Sequence, residues 1–195
     1  MTSYSPLTAA HEPTGHVVRW AAGEHLDTTT IRWENEGFTV GGVLTGQRIE
    51  YVLRLSPTWQ VRQFILFRDL EEPDLWLATD GAGRWGEMNG AHRPEFDGCY
   101  DLHVRGAAFT PSLPIRRLPL LEGHAAEVPI VVVDAETLDT WVEVVRYSRL
   151  GSHRWRIERD EPDPDDGLDA ELHVEVTVDE HGLVTDYPSG AGRVS

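Results

Sequence analysis

Hydrophobic and polar residues alternate with a period of two along most of the chain, the pattern of strands with one buried face. Segment 48–55 shows this most clearly, because every odd position from Ile49 to Leu55 is apolar while the even positions are mostly charged. Asp-Gly at 80–81 and Asn-Gly at 89–90 are typical hairpin turns. We predict strands at 16–20, 24–34, 38–44, 48–55, 59–67, 75–79, 83–88, 100–105, 128–133, 138–147, 153–159, 172–178 and 183–187. Within the third of these, Gly41-Gly42 indicates a bulge or sharp bend.

Helical spacing is not sustained anywhere beyond about two turns. The best helix candidate is 111–118, with Thr110 as the N-cap and Pro111 at the first helical position. The many strands and closely spaced turns favour a large meander, roll or barrel. We expect residues 1–15, which lack a period, to form a flexible leader, and 16–193 to form a single β-domain. Segment 158–171, rich in Asp, Glu and Pro, is predicted to be an acidic loop.

The chain of 195 residues has a formal net charge of −16. Nucleic acid and anionic membrane surfaces are therefore unfavourable partners, since both require a cationic face. No run approaches 18 apolar residues and no signal segment is visible, so we expect no transmembrane segment and a soluble, cytoplasmic protein. A single cysteine excludes an intrachain disulfide. All 17 basic residues are arginine, which excludes lysine-based covalent chemistry.

Catalytic patterns are missing from the sequence. There is no nucleophile elbow, and on a strand Cys99 and His103 share a face at about 13 Å, too far apart for a thiolate–imidazole pair. The same spacing separates Asp97 from Asp101, and Asp97 is better explained as shaping the Asp-Gly turn. Neither metal-ligand spacing nor a phosphate-binding glycine loop occurs. We therefore predict no enzyme activity, no metal and no cofactor.

A binding signature remains. Seven tryptophans offer flat apolar surfaces for an acyl chain or a sugar face, or else belong to the ordinary core. The adjacent Arg116 and Arg117 lie on the predicted helix, where one guanidinium would lie near a cavity and the other outside, or else the pair would form a structural salt bridge between the helix and the sheet. A buried arginine needs a partner, and Asp97 and Asp101 are the nearest candidates in sequence. We expect Arg116→Ala to lower the melting temperature more than Arg117→Ala.

Two segments, 97–101 (DGCYD) and 109–118 (FTPSLPIRRL), resemble the signature of the bacterial putative glycolipid-binding family, formerly a domain of unknown function. Shorter matches occur at 19–20 with 24–26, and at 59–62, 80–85 and 182–188. The tail 187–193 departs from the family pattern. The resemblance implies a spiral β-roll, in which a long sheet winds around one helix, similar to lipoprotein localisation factors that hold acyl chains. It implies no catalytic residues.

Together these observations predict a carrier or sensor of an amphipathic small molecule, such as a glycolipid or acyl compound. The candidate ligand-binding residues are Trp85, Asp97, Cys99, Asp101, Arg116, Arg117 and Tyr187. One alternative is an enzyme acting on a hydrophobic substrate, with Glu24, His25, Asp97, Asp101 or Tyr187 as acid or base. The other is a structural or interaction module with a solid interior. Ligand identity and oligomeric state are not determined by the sequence.

Overall fold

The computed structural model describes residues 4–22, 25–45, 48–68, 72–159, 173–186 and 192–194. Within these residues the fold is mainly β, as predicted, with one α-helix and two short 3-10 helices. The strands are β1 (His16–Ala22), β2 (His25–Glu34), β3 (Gly37–Leu44), β4 (Ile49–Leu55), β5 (Val61–Phe67), β6 (Leu75–Thr79), β7 (Trp85–Glu87), β8 (Asp101–Val104), β9 (Ala125–Val133), β10 (Thr140–Arg149), β11 (Arg154–Glu158), β12 (His173–Val178), β13 (Val184–Asp186) and β14 (Gly192–Val194). The helices are α1 (Ser112–Arg117) and the 3-10 turns η1 (Thr8–His11) and η2 (Pro94–Phe96).

These strands form a single long sheet in the order β7-β6-β5-β4-β3-β2-β1-β14-β13-β12-β11-β10-β9-β8. Neighbours are antiparallel except for the parallel pair β8 and β9. The two halves of the chain join where β1 pairs with β14, with Arg19 opposite Val194. This junction places β1 beside β14, and residues near it form the site described below.

The sheet curls so that its β8 edge lies inside. All four residues of β8 are buried, and the backbone N–H of Val61 in β5 donates to the carbonyl of Tyr100 just before β8 (2.9 Å). Helix α1 follows and is enclosed: Leu113 and Ile115 are fully buried, and the Ser112 hydroxyl accepts a hydrogen bond from the Val184 N–H (3.0 Å). The predicted roll wound around a short helix is confirmed.

Three local predictions were wrong. The helix begins at Ser112, and Thr110 does not cap it, because its hydroxyl is held by the His103 ring and by backbone groups of the preceding loop. The strand predicted to start at residue 59 starts at Val61, because Trp59 takes a positive φ of 68° in a turn. The pair Gly41-Gly42 makes no bulge, since its pairing with β4 is continuous, and the alternative of a sharp bend at this pair stays a prediction. A Cβ at Gly42 would lie 2.0 Å from the Tyr51 ring, so glycine is required there for close packing.

Residues 4–15, which we call the N-terminal strap, pack against the sheet. Leu7 and Ala10 are 4% and 1% exposed, and the Ser5 N–H donates to the Glu180 carbonyl at 2.8 Å. The predicted boundary between a leader and the β-domain at residue 15 stays a prediction. The predicted acidic loop lies almost entirely outside the described residues. None of the described helices is long and apolar enough to cross a membrane.

Candidate functional site

The strap lies at the end of the roll where α1 ends, and Arg116 is the centre of a polar cluster there. Its guanidinium lies 4.1 Å from the centre of the Trp59 ring, and Nη1 donates to the His181 carbonyl. Burial lowers the pKa of Arg116 to about 10, with Asp179 and Tyr4 acting in the opposite direction. Across the described residues no carboxylate lies within 4 Å of this guanidinium, and its Nε has no hydrogen-bond partner. Arg116 is therefore a largely buried cation that forms no ion pair with any described residue, and Asp179 acts on it only from a distance beyond 4 Å.

The turn between β4 and β5 sets the position of Trp59. The Ser56 hydroxyl accepts hydrogen bonds from the backbone N–H of Thr58 (3.2 Å) and Gln60 (3.1 Å), and the Ser56 N–H donates to the Gln60 carbonyl. These bonds close a tight loop in which Trp59 adopts its left-handed conformation. The indole points inward and is only 3% exposed.

A row of aromatic rings leads from Trp59 towards the surface. Phe38 lies 4.9 Å from Trp59, Trp33 lies 4.9 Å from Phe38, and His11 of the strap lies 5.4 Å from Trp33, all measured between ring centres. Phe38 and Trp33 are partly exposed and His11 is exposed. We call these four residues the aromatic row. Its rings offer the flat apolar faces that contact acyl chains and sugar rings.

Two histidines form the other side of the cluster. The rings of His16 and His181 meet edge to face, with centres 5.3 Å apart. His181 Nδ1 lies 3.2 Å from the Ser5 carbonyl, which can only accept, so this nitrogen carries the hydrogen. Burial lowers the pKa of His16, and neighbouring cations lower it further. Asp179 makes its ion pair with Arg193 and acts on His16 and Arg116 only through space.

Arg117, next to Arg116 in sequence, has an entirely different environment. Its Nε and Nη2 donate to Asp101 Oδ2 at 2.9 and 2.6 Å, and the Asp101 side chain is 0% exposed. Burial raises the pKa of Asp101, while the Arg117 guanidinium acts to lower it. Of the two acids proposed from the sequence, Asp101 is thus the arginine partner, and this pair joins the helix to β8.

The remaining described candidates form a third group. The Trp85 N–H donates to Asp97 Oδ1 (3.0 Å), Trp85 Nε1 donates to the Cys99 carbonyl (2.9 Å), and Asp97 Oδ2 lies 2.9 Å from His92 Nε2. The hydrogen bond from Trp85 is the main reason that the pKa of Asp97 is lowered. Burial raises the pKa of the Cys99 thiol to about 11. A surface depression of about 500 Å³ adjoins this group, lined by Ala78, Thr79, Asp80, Arg84, Trp85, Gly86, Glu87, Gly90 and His92.

The predicted site residues therefore separate into a Trp85–Asp97–Cys99 group, an Asp101–Arg117 pair, and Arg116 with the aromatic row. Tyr187 lies outside the described residues, as do Glu24 and the side chain of His25. Sequence reasoning missed His16, Phe38 and His181, for which no local signal exists. Within the described part of the chain, no three His, Cys, Asp or Glu side chains are arranged to hold a metal ion.

Comparison with known proteins gives a family and a fold. A family model described as "Putative glycolipid-binding" matches residues 17–193. The chain is also similar to the crystal structure of a DUF1089 family protein from Pseudomonas aeruginosa, with 25% sequence identity, a TM-score of 0.67 and coverage of 98% of each chain. No curated protein matches the chain.

Proposed function

The chain belongs to the family described as putative glycolipid-binding, and on that premise we propose that it is a carrier or sensor that binds a glycolipid or a similar amphipathic acyl compound. The observation that carries this proposal is Arg116, a largely buried cation that forms no ion pair with the described residues, at the inner end of the aromatic row. A charged group is buried without a counter-ion only at a cost, which a polar ligand group can offset. We propose that binding, without turnover, is the activity.

The two parts of an amphipathic ligand match the two parts of the site. Ring faces of Trp33 and Phe38 supply apolar contact at low conformational cost for a sugar face or an acyl chain. Arg116 supplies donors in a fixed planar fork, held by its contact with Trp59 and by the His181 carbonyl. We infer that the polar headgroup contacts Arg116 and that the apolar part follows the aromatic row. The cytoplasmic location expected from the sequence stays a prediction.

The proposal is tested first by mass spectrometry of organic extracts from natively purified protein, and then by titration with octyl glucoside and a fluorescent acyl probe. We expect a co-purified lipid or saturable probe binding. Trp33→Ala should weaken binding about tenfold, which is the loss of one stacked ring. Trp141→Ala is the matched control, because Trp141 is an exposed tryptophan of β10 (37% exposed).

Two outcomes would count against the proposal. Extracts free of lipid, together with no binding of either probe, would remove the ligand-binding function. Equal weakening by Trp33→Ala and Trp141→Ala would contradict the location of the site at the aromatic row.

A further inference from the structure

We propose that the polar end of this site selects an anion: a phosphate, sulfate or carboxylate group bound between the Arg116 guanidinium and the His16 imidazole. The inference rests on the proposed function, because it assigns the headgroup chemistry of the same site.

Two buried nitrogens of this cluster lack hydrogen-bond partners. Within the part of the chain that the structure describes, neither Arg116 Nε nor His16 Nε2 contacts a donor or acceptor. Buried polar atoms are normally paired, and a native exception requires an explanation. Arg116 Nε is always a donor, and His16 Nε2 is a donor whenever the ring is protonated. One group that accepts two hydrogen bonds would satisfy both atoms.

The charge balance of the cluster points to an anion. Arg116, Arg193, His16 and His181 meet there, whereas Asp179 is engaged by Arg193. A second acid, Glu180, is exposed and reaches only His181 Nε2, at 3.9 Å. The chain as a whole carries −16, so a cluster in which two arginines meet one acid runs against its overall composition. An anionic headgroup would supply the charge that the protein itself leaves out.

Arg117, the neighbour of Arg116, has a structural role and serves as a comparison. Arg117 makes charge-assisted hydrogen bonds to Asp101, so the two buried charges compensate each other. Arg116 lies one residue earlier on the same short helix and contacts a carbonyl and an aromatic face, with no ion pair to any residue that the structure describes. Backbone carbonyl and ring contacts orient a guanidinium without neutralising it, which leaves its charge available to a ligand.

Protonation of His16 should accompany anion binding. The charged and titratable groups that face His16 are His181 and Asp179 of the turn after β12, Arg193 of β14 and Arg116 of α1. Burial and the cationic neighbours lower the pKa of His16, so the ring is neutral at pH 7.5 in the free protein. An anion beside it favours the charged form. Binding should therefore take up a proton and be tighter at pH 5.5 than at pH 7.5.

The experiment compares octyl glucoside 6-phosphate with octyl glucoside, which differ only in the phosphate, by calorimetric titration below their micelle concentrations. We expect the phosphorylated ligand to bind the wild type at least about tenfold tighter, with proton uptake at pH 7.5 seen as a dependence of the heat on buffer ionisation. Arg116→Gln should reduce that affinity by about 10- to 100-fold, as for the loss of charged hydrogen bonds, and should weaken octyl glucoside only a few-fold, as for the loss of a neutral hydrogen bond. Arg146→Gln, at an exposed arginine of β10, is the charge-matched control. His16→Gln should remove the proton uptake on binding and leave only the pH dependence that comes from the phosphate's own ionisation at about pH 6.

The wild-type comparison needs no variant, so the inference can be refuted even if a substitution impairs folding. Equal affinity for the two ligands, or equal loss of both in Arg116→Gln, would overturn the anion preference and leave the proposed function standing. If neither octyl ligand binds, the proposed function is overturned, and titration with inorganic phosphate and sulfate then tests the anion site alone. Millimolar binding of free phosphate identifies the anion as the ligand, whereas a requirement for the octyl chain identifies a lipid headgroup.

Discussion

The Asp101–Arg117 pair gives the sharpest prediction about stability. Replacing Arg117 by Gln removes a guanidinium whose Nε and Nη2 lie 2.9 and 2.6 Å from a carboxylate that is 0% exposed. Breaking a buried pair by removing one partner costs about 3–5 kcal/mol, because the remaining charge is uncompensated. For a chain of this size, each kcal/mol lowers the melting temperature by about 2–4 °C. We expect Arg117→Gln to lower it by roughly 6–20 °C.

Arg116→Gln should do far less. The fall in the pKa of Arg116 from 12.5 to about 10 corresponds to a burial penalty of roughly 3 kcal/mol, at about 1.4 kcal/mol per pH unit. Its favourable contacts are of similar size: about 1–2 kcal/mol from the Trp59 ring and about 1 kcal/mol from the His181 carbonyl. The two contributions nearly cancel. The structure thus favours the opposite order of the two arginines from the one that the sequence suggested.

Thermal and urea unfolding of the two variants tests this order. In Arg117→Gln the pKa of Asp101 rises further above its unfolded value, so the destabilisation should be largest near neutral pH and shrink as the pH falls towards 4. The double variant Asp101→Asn/Arg117→Gln has no buried charge and should recover much of the loss. An Arg117→Gln protein that melts with the wild type, or an Arg116→Gln protein that loses as much, would refute the reasoning.

Two further predictions concern buried groups. Burial raises the pKa of Asp27 to about 6, so the folded protein holds the Asp27 proton more tightly than the unfolded chain does. The stability that this proton contributes is lost as the pH rises from about 4 to about 6. Urea unfolding should therefore show the stability of the wild type relative to Asp27→Asn falling by about 2 kcal/mol between pH 4 and pH 6 and by about 3 kcal/mol between pH 3 and pH 7, and a pH-independent difference would contradict it. Cys99 is 1% exposed and its pKa is about 11, so Ellman's reagent at pH 8 should modify it only at the rate of unfolding; rapid modification of the native protein would show an accessible thiolate.

Part of this molecule follows from local sequence alone. Period-two alternation predicted β4, whose burial strictly alternates in structure from Ile49 to Leu55 between buried and more exposed positions. Pro111, placed at the first helical position, predicted a helix over 111–118, and the helix ends at Arg117. Each of these features depends on neighbours a few residues apart, because strand and helix periodicities are local properties of the backbone.

The candidate site depends on the tertiary structure. Arg116 and the His181 carbonyl are 65 residues apart in the chain, and the ring of His16 reaches that of His181 through the pairing of β1 with β14 and the curl of the sheet. Sequence spacing did not distinguish Asp97 from Asp101 as the partner of an arginine. Asp101 is the partner because it lies on the buried strand β8. Strand register and sheet curvature arise from contacts across the whole domain. Residue patterns therefore determined the strands and the helix, and only the tertiary structure determined which arginine pairs with a carboxylate and which lies against a carbonyl and an aromatic ring.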